Sequence, residues 1–189
     1  MKFSIIIPAH NAAKFIRKAL DSVKIQTYKD YELIVVCDAC EDNTADIARE
    51  YTDKVIEVDY ASEGRTRNDG LDAARGDWIL WIDDDDWWMH EYVLETLAEH
   101  LTNEDTLSFA FIWKGRGYAP ANDHIAVWTR CWRRSWVGIT RFPDWWPADY
   151  GFYQEVMKKQ GVHRRVDILM YYYNFMREGS LTEIHKRKT

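Results

Sequence analysis

Four consecutive aspartates, Asp83–Asp86, are the residues of this chain best suited to chemistry. They directly follow a short apolar run, Trp78–Ile82, that predicts a β-strand, and Trp87 and Trp88 come next. Adjacent carboxylates repel one another unless water or a cation screens them. Mg²⁺ and Mn²⁺ take oxygen ligands of this kind, usually together with substrate phosphates. The run therefore predicts a site for a metal-bound phosphorylated ligand, and a solvated acidic turn is the plainer alternative.

The position of the aspartates favours the metal site, because ligands of open α/β sheets bind beyond the carboxyl ends of the strands. Asp83 and Asp85 are two residues apart, so a strand-like backbone would direct both side chains to the same side. Asp38 follows a second apolar strand, where its carboxylate could accept a hydrogen bond from an N–H group of a nucleotide base. The sequence thus places candidate ligands after two different strands.

The elements that must position these residues alternate between strand and helix through the first hundred residues, which predicts βαβ units. We therefore predict an α/β fold with a mostly parallel, twisted sheet and flanking helices. Asn11 is predicted to cap the first helix. Predicted strands cover residues 2–7, 31–36, 54–58, 78–82, 106–113, 125–132 and 162–175, and predicted helices cover residues 12–26, 44–51, 67–74, 92–101 and 149–159.

Length and composition favour one domain, because the chain has 189 residues and a mass of 22.5 kDa. The apolar runs are all shorter than the ~20 residues that a membrane helix needs, so no transmembrane segment is predicted. Met1–Asn11 is expected to form a first strand rather than a signal peptide. Three cysteines are an odd number, which favours reduced thiols and a cytoplasmic location.

Two of these cysteines form a Cys-x-x-Cys motif, Cys37 and Cys40, which could be a redox pair or a metal site. Against both roles, Asp38, Glu41 and Asp42 surround the motif, and their negative charge opposes thiolate formation. We therefore expect no redox or metal chemistry from these thiols.

The charge of the chain is distributed unevenly around a formal net charge of −6. Residues 1–109 contain 11 basic and 24 acidic residues, whereas residues 110–189 contain 14 and 7. In residues 128–146 tryptophans interleave with arginines, which suggests a two-faced ribbon with tryptophan inward and arginine outward. Core packing explains such a ribbon, and a groove for an anionic, flat acceptor such as nucleic acid explains it equally well.

Five segments occur in a characteristic order: Phe3–Asn11, Gln26–Val36, Cys37–Thr44, Arg67–Ile79 and Asp83–Asp86. Together they resemble the family 2 glycosyltransferases of the GT-A fold. The resemblance is dense from residue 3 to about residue 88 and continues more weakly from residue 127 to residue 182. Each segment alone is a modest match, but the ordered set is highly specific.

The resemblance implies a site for a nucleotide-sugar donor within residues 1–109. It implies that Asp85 binds Mn²⁺ or Mg²⁺ directly and that Asp83 contacts the ribose, or the metal through water. Asp38 matches the family's uracil-binding aspartate, which predicts a UDP-sugar. The residues implied to bind the donor nucleotide are Pro8, Ala9, His10, Asn11, Asp38, Arg67, Asn68, Asp83 and Asp84.

The resemblance also implies a general base for an inverting displacement, because an acceptor hydroxyl is a poor nucleophile until its proton is removed. Asp149 stands at the start of a late predicted helix, where the family places this residue. Ala148 stands where the family usually has a second acidic residue. Capping of the helix is the alternative role for Asp149.

The sequence as a whole thus predicts one metal-dependent, inverting glycosyltransferase domain over residues 1–189, with a donor half (1–109), an acceptor half (110–182) and a basic tail (183–189). The expected acceptor is a glycan or a lipid-linked saccharide. Hydroxylated bases of DNA are the alternative acceptor, and a nucleotide-binding module without turnover is a third hypothesis. Whether His185 or His163 completes the metal shell is left open.

Overall fold

A continuous nine-stranded sheet organises the chain in the computed structural model, which describes residues 1–122 and 125–174. Most of the strands are apolar runs buried on both faces, as expected for strands that helices cover. The strands are β1 (Phe3–Ala9), β2 (Tyr31–Asp38), β3 (Val55–Val58), β4 (Trp78–Trp81), β5 (Trp87–Trp88), β6 (Thr106–Trp113), β7 (Gly117–Ala119), β8 (Arg130–Arg133) and β9 (His163–Tyr173).

Helices pack on the sheet through apolar stripes with helical spacing. In the first helix, Ile16, Ala19, Leu20 and Val23 are fully buried. The helices are α1 (Ile16–Lys24), α2 (Thr44–Arg49), α3 (Glu63–Ala73), α4 (Val93–His100), α5 (Arg134–Val137) and α6 (Ala148–Met157), and a 3-10 turn covers Val127–Thr129.

The strand order is β3-β2-β1-β4-β8-β6-β9-β5, and β7 pairs with β6 outside this path. The first four strands in this order are parallel to one another, and β6 is parallel to β9. The carboxyl ends of β1, β2 and β4 therefore meet at one edge of the sheet. The residues that follow these strands are brought together there, which is the arrangement that the sequence predicted.

The predicted α/β class, with its mostly parallel sheet and flanking helices, is confirmed. The predicted N-cap at Asn11 is wrong, because α1 begins only at Ile16. Asn11 instead has a φ of 46° and its side chain accepts a hydrogen bond from the backbone N–H of Glu41 (2.8 Å). Asn11 thus connects the loop after β1 to the loop after β2 and does not start a helix.

The tryptophan and arginine residues between positions 128 and 146 do not form the two-faced ribbon that was predicted. Trp128 and Trp132 are buried as expected, but Arg130 is also buried (2% exposed). Arg133 donates to the carbonyl of Glu104 (2.8 Å), and Arg134 donates to the carbonyl of Gly76 (2.6 Å). These arginines hold neighbouring strands and turns together, so packing explains the pattern that suggested nucleic acid.

Within the described ranges, 1–122 and 125–174, none of the helices is both long and apolar enough to cross a membrane.

Candidate active site

The four aspartates after β4 alternate between exposed and buried positions. Asp83 and Asp85 are partly exposed, whereas Asp84 and Asp86 are 7% and 0% exposed. The two members of the predicted Asp-x-Asp pair thus reach the surface, and the two residues beside them point into the protein. Asp83 and Asp85 are therefore accessible at the surface, whereas Asp84 and Asp86 fix the run to the rest of the protein.

Asp86 anchors the run to the last strand of the sheet. Its Oδ2 accepts a hydrogen bond from the hydroxyl of Tyr171 (2.7 Å), and its Oδ1 accepts from the backbone N–H of Asn174 (2.7 Å). The Tyr171 hydroxyl also accepts from the backbone N–H of Asp83 (3.1 Å). Burial, with the nearby charges of Asp85 and Asp83, raises the pKa of Asp86 well above its usual range.

Asp84 connects the run to the loop after β1, because its Oδ2 accepts from the backbone N–H of His10 (3.1 Å). The ring of His10 in turn contacts the carbonyl oxygen of Asp38 through Nδ1 (2.7 Å). The ends of β1, β2 and β4 are thus joined by a short chain of polar contacts. Pro8 and Ala9 are the last residues of β1, and Asn11 lies in the loop that follows, so all three lie at the same edge of the sheet.

Arg67 is a buried cation that connects the aspartate run to the late helix. Its side chain is 4% exposed, and Nη2 contacts Asp83 Oδ1 (2.9 Å) and Glu63 Oε1 (3.2 Å). Its Nε lies 3.3 Å from Asp149 Oδ1, an ion pair without the alignment of a hydrogen bond. Burial alone would lower the pKa of Arg67, but the three carboxylates raise it, so the guanidinium stays charged.

Asp149 lies in the first turn of α6, and its side chain is 13% exposed. Pro147 occupies the N-cap position, and Oδ2 of Asp149 accepts from the backbone N–H of Val127 (3.0 Å), so the helix-cap alternative is wrong. Within the described part of the chain, Oδ1 accepts no hydrogen bond. Burial raises the pKa of Asp149 to about 7 against the opposing effect of Arg67, which is the range expected of a general base.

The side chain of Asp38 lacks the free acceptor oxygen that recognition of a nucleobase would need. Its two oxygens accept from three consecutive backbone N–H groups, those of Tyr60 (2.6 Å), Ala61 (2.9 Å) and Ser62 (2.8 Å), and from the Thr66 hydroxyl (2.6 Å). Burial opposes ionisation, but these donors lower the pKa of Asp38. A carboxylate offers about four lone-pair sites. This arrangement therefore leaves Asp38 no acceptor for a base N–H, and it instead holds the loop before α3.

Asn68 is also occupied by the protein itself. Its amide nitrogen donates to the carbonyl of Phe142 (2.9 Å), and its amide oxygen accepts from the N–H of the same residue (2.8 Å). A nucleotide contact from Asn68 would break this pair, and one from Arg67 would break its ion pairs. Both side chains are thus better placed to align the site than to bind the nucleotide.

A segment of exposed aromatic side chains lies beside Asp149, where residues 143–147 cross the start of α3. The Ser62 hydroxyl donates to Asp144, and a Cβ on Gly64 would lie 2.0 Å from the Pro143 carbonyl oxygen, so the approach is close. Trp145, Trp146 and Tyr150 are 53%, 46% and 41% exposed. These residues, which we call the aromatic platform, are the only cluster of exposed aromatics within six residues of each other among the described parts of the chain.

The residues fit a divalent cation, with Asp83 and Asp85 as the carboxylates that would hold it. Both are partly exposed, and hard cations bound with a substrate diphosphate commonly take one or two carboxylates from the protein. Within residues 1–122 and 125–174, no three His, Cys, Asp or Glu side chains form a closed metal cluster. A cation held by two carboxylates would take its other oxygen ligands from a bound diphosphate and water. His163 packs against Trp136 instead, and His185 lies outside the described residues.

A cavity of about 300 Å³ opens at the carboxyl ends of β2 and β3, beside the loop that carries His10. Its lining combines thiols and carboxylates: Cys37, Ala39, Cys40, Glu41, Glu57, Val58 and Asp59.

Three contributors to the site were not found from the sequence: Glu63, Tyr171 and the backbone of Val127. Glu63 carries a weak signal, because it lies four residues before Arg67 on the same helix face. Tyr171 lies in a run of three tyrosines, and only the pairing of β9 brings its hydroxyl to the aspartate run. A backbone N–H carries no sequence signal.

The chain resembles known proteins over most of its length. A family model described as glycosyl transferase family 2 matches residues 4–176. Glycosyltransferase GlyA of Streptococcus pneumoniae serotype 4 is 37% identical over 105 residues, which are 53% of this chain and 15% of that protein.

The fold is similar to solved structures in the same way. The crystal structure of Staphylococcus aureus TarS 1–349 in complex with UDP-GlcNAc matches with a TM-score of 0.83 and 24% identity, over 97% of this chain and 61% of that one. Mannosyltransferase PcManGT from Pyrobaculum calidifontis, in complex with GDP-Man and Mn²⁺, matches with a TM-score of 0.77 and 15% identity, over 98% and 60%. The chain thus spans less than two thirds of the length of each of these proteins.

Proposed function

The chain belongs to glycosyl transferase family 2 and has the GT-A fold, and from this premise we propose that it transfers a sugar from a nucleotide-diphosphate donor to an acceptor hydroxyl. The observation that carries the proposal is the connection through Arg67, which joins a partly exposed carboxylate of the aspartate run to Asp149. A diphosphate site and a general base are thus aligned by one buried cation.

The proposed donor is a UDP-sugar, bound with Mn²⁺ or Mg²⁺ at Asp83 and Asp85. The similar folds of TarS with UDP-GlcNAc and of PcManGT with GDP-Man and Mn²⁺ support a nucleotide-sugar and a divalent metal. The bound metal would neutralise the charge of the departing diphosphate. We propose that the nucleobase of the donor binds in the cavity beside His10. There Glu41, Glu57 and Asp59 replace Asp38 as candidate acceptors for the N–H groups of the nucleobase.

In the proposed reaction Asp149 takes the proton of the acceptor hydroxyl. The hydroxyl oxygen forms a bond to C1 of the sugar from one side, while the bond from C1 to the phosphate oxygen breaks on the other. The configuration at C1 is therefore inverted. Of the two carboxylate oxygens of Asp149, Oδ2 is held by Val127, and Oδ1 is buried beside Nε of Arg67 but accepts no hydrogen bond from the described residues, so Oδ1 is the atom we assign to this task.

The proposed acceptor is a saccharide, either free or carried on a lipid, and the aromatic platform supports this choice. Apolar faces of sugar rings pack on exposed aromatic rings, and a large part of an aromatic side chain's binding energy comes from such burial. Trp145 is held in place because its ring packs on Gly151, where a Cβ would lie 2.7 Å from a ring carbon. A DNA acceptor is less well supported, because Arg133, Arg134 and Arg141 are all engaged within the protein.

The function is tested by measuring release of UDP from a panel of UDP-sugars with Mn²⁺, first without an acceptor and then with oligosaccharides or with DNA that carries hydroxylated bases. We expect the oligosaccharides to accelerate release and DNA to have no effect. Trp146→Ala should raise the acceptor KM and leave the affinity for UDP unchanged. The matched control is Tyr118→Ala, because Tyr118 is equally exposed (52%) but lies on β7. A panel without any turnover, or acceleration by DNA alone, would contradict the proposal.

The same assignment of residues to donor and acceptor leads to a proposed domain organisation. Residues 1–109 supply the donor-binding residues, and the described part of residues 110–182 supplies Asp149 and the aromatic platform. Both halves contribute strands to the one sheet, so we propose a single domain.

A further inference from the structure

Two thiols at the carboxyl end of β2 have no part in the proposed transfer. Cys37 is buried (1% exposed), Cys40 is half-buried, and each thiol affects the pKa of the other. Ala39 lies between them with a φ of 49°, a left-handed conformation that turns the chain back on itself. Both residues line the cavity beside His10, so a small molecule that enters it meets the half-buried Cys40 next to Cys37.

The sequence predicted that nearby carboxylates oppose thiolate formation, and Asp42 does raise the pKa of Cys40, but other groups outweigh it. The hydrogen bond from Cys37 lowers the pKa of Cys40, an effect larger than the opposing ones of burial and Asp42. The backbone of Asn11 and the ring of His10 act in the same direction. The pKa of Cys37 is raised by the same hydrogen bond and by burial. Cys40 is half-buried and its pKa is lowered, so it is the thiol of the pair that can meet a reagent as a thiolate, and Cys37 is its buried neighbour.

We propose that Cys37 and Cys40 form a hydroperoxide-sensitive thiol pair whose oxidation to a disulfide weakens binding of the donor. The Cys40 thiolate attacks one oxygen of hydrogen peroxide, which gives a sulfenic acid and hydroxide, and the hydroxide takes up a proton to become water. The Cys37 sulfur then attacks the Cys40 sulfur, its proton leaves with the hydroxyl group as a second water, and the S–S bond forms. In total the two thiols lose two electrons and peroxide gains them.

The third cysteine provides a matched control in the same chain. Cys131 is fully buried on β8, where its thiol donates to the carbonyl of Leu107 (3.7 Å). Burial raises the pKa of Cys131 to about 12. It is therefore expected to react far more slowly than Cys40 with any reagent that needs a thiolate.

The expected effect on the donor follows from the contacts of Cys40, and this step rests on the proposed function. As a neutral thiol Cys40 donates to the carbonyl of Ala9 (3.6 Å), the last residue of β1 and one of the residues expected to bind the donor nucleotide. A disulfide requires the two sulfurs to approach to about 2 Å, which removes this hydrogen bond. The disulfide also links Cys40 covalently to Cys37 on β2 and narrows the cavity. The nucleobase of the donor should therefore bind less well.

The test begins with the wild-type chain, treated with hydrogen peroxide and digested after alkylation of the remaining thiols. We expect a reversible loss of two hydrogen atoms from the peptide that contains Cys37 and Cys40, restored by dithiothreitol, while Cys131 is still alkylated. In Cys40→Ser this loss should disappear, and Cys37→Ala should stop at the sulfenic acid, which dimedone traps. Calorimetry should then show at least tenfold weaker binding of UDP with Mn²⁺ by the oxidised wild type than by the reduced protein.

Several results would overturn the inference. These are a Cys40 that remains fully alkylated after peroxide, one that goes directly to sulfinic acid without a disulfide, and a Cys131 that oxidises at the same rate. A disulfide that leaves UDP affinity unchanged would remove the coupling to the donor site. If the reduced protein does not bind UDP at all while the disulfide still forms, the proposed function fails and the thiol chemistry stands.

Discussion

Asp149 shows how a single buried residue can combine a proposed catalytic role with a cost to stability. Its carboxyl group is neutral at low pH and becomes charged only near neutrality, because burial raises its pKa to about 7. The unfolded chain has an ordinary aspartate pKa of about 3.9. The folded state therefore binds the proton more tightly, and the stability gained in this way is present at low pH and lost as pH rises through about 7.

We therefore predict that Asp149→Asn abolishes transfer without destabilising the fold. Loss of a general base should lower kcat by about 10²-fold or more, and the affinity for UDP should not change. At pH 8 the melting temperature should equal or exceed that of the wild type, and the difference should shrink toward pH 5, where the wild-type residue is protonated. Wild-type kcat should rise with pH through about 7. Near-normal transfer by the variant would show that Asp149 is not the base.

The aspartate run permits a second prediction about individual residues. Asp85→Asn should weaken binding of UDP in the presence of Mn²⁺ by at least the ~10–100-fold that loss of a supporting residue costs a metal site. Calorimetry with and without a chelator measures this. Asp53→Asn is a matched control, because it removes one carboxylate from an exposed position outside the site. Equal affinities of wild type, variant and chelated protein would exclude a metal at the run.

At the scale of elements, α3 depends on Asp38 for its start. We predict that Asp38→Ala lowers the free energy of unfolding by about 1–3 kcal/mol, because three backbone N–H groups and the Thr66 hydroxyl lose their acceptor. Urea denaturation gives the value, and the preference for uridine over adenosine nucleotides should persist in the variant. A stable variant that has lost this preference would return Asp38 to the role in base recognition that its position suggested.

The elements that could be predicted from the sequence are those whose burial is independent of distant partners. The strand Thr106–Trp113 was predicted with its observed bounds, because apolar and β-branched or aromatic residues fill it. The strand β5 was not predicted, because its two residues pair only with Tyr171 and Tyr172 of the distant β9. The strand predicted over residues 125–132 is interrupted by the 3-10 turn Val127–Thr129, whose backbone holds Asp149.

The residues of the candidate site could likewise be predicted from the sequence only where their positions do not depend on distant partners. The exposed carboxylates Asp83 and Asp85 could be placed at one sheet edge from strand order and alternation alone. The engagement of Asp38 and Asn68 could not be predicted, because their partners are backbone groups of loops far away in the sequence. Neither could the charge environment of Asp149, since Arg67 and Glu63 reach it only through the packing of α3 against α6.

At the scale of the whole molecule, the sheet passes through the boundary between the donor and acceptor halves. The strand β4 of the first half pairs with β8 of the second, and β6 lies between β8 and β9. We predict that residues 1–109 alone do not fold cooperatively, because β4 would keep β1 but lose β8 on its other side, and the fragment would end inside β6. Circular dichroism during urea denaturation tests this. A sharp, cooperative transition in the fragment would show two independent units.

The backbone N–H of Asn174, the last residue described, donates a hydrogen bond to Asp86 at the end of the aspartate run. A label attached at Asn174 itself would therefore lie beside the proposed diphosphate site. A fluorescent dye or an affinity tag placed there would report on, or interfere with, occupancy of the donor site. For immobilisation or labelling, attachment at the exposed Met1 end is therefore the more neutral design.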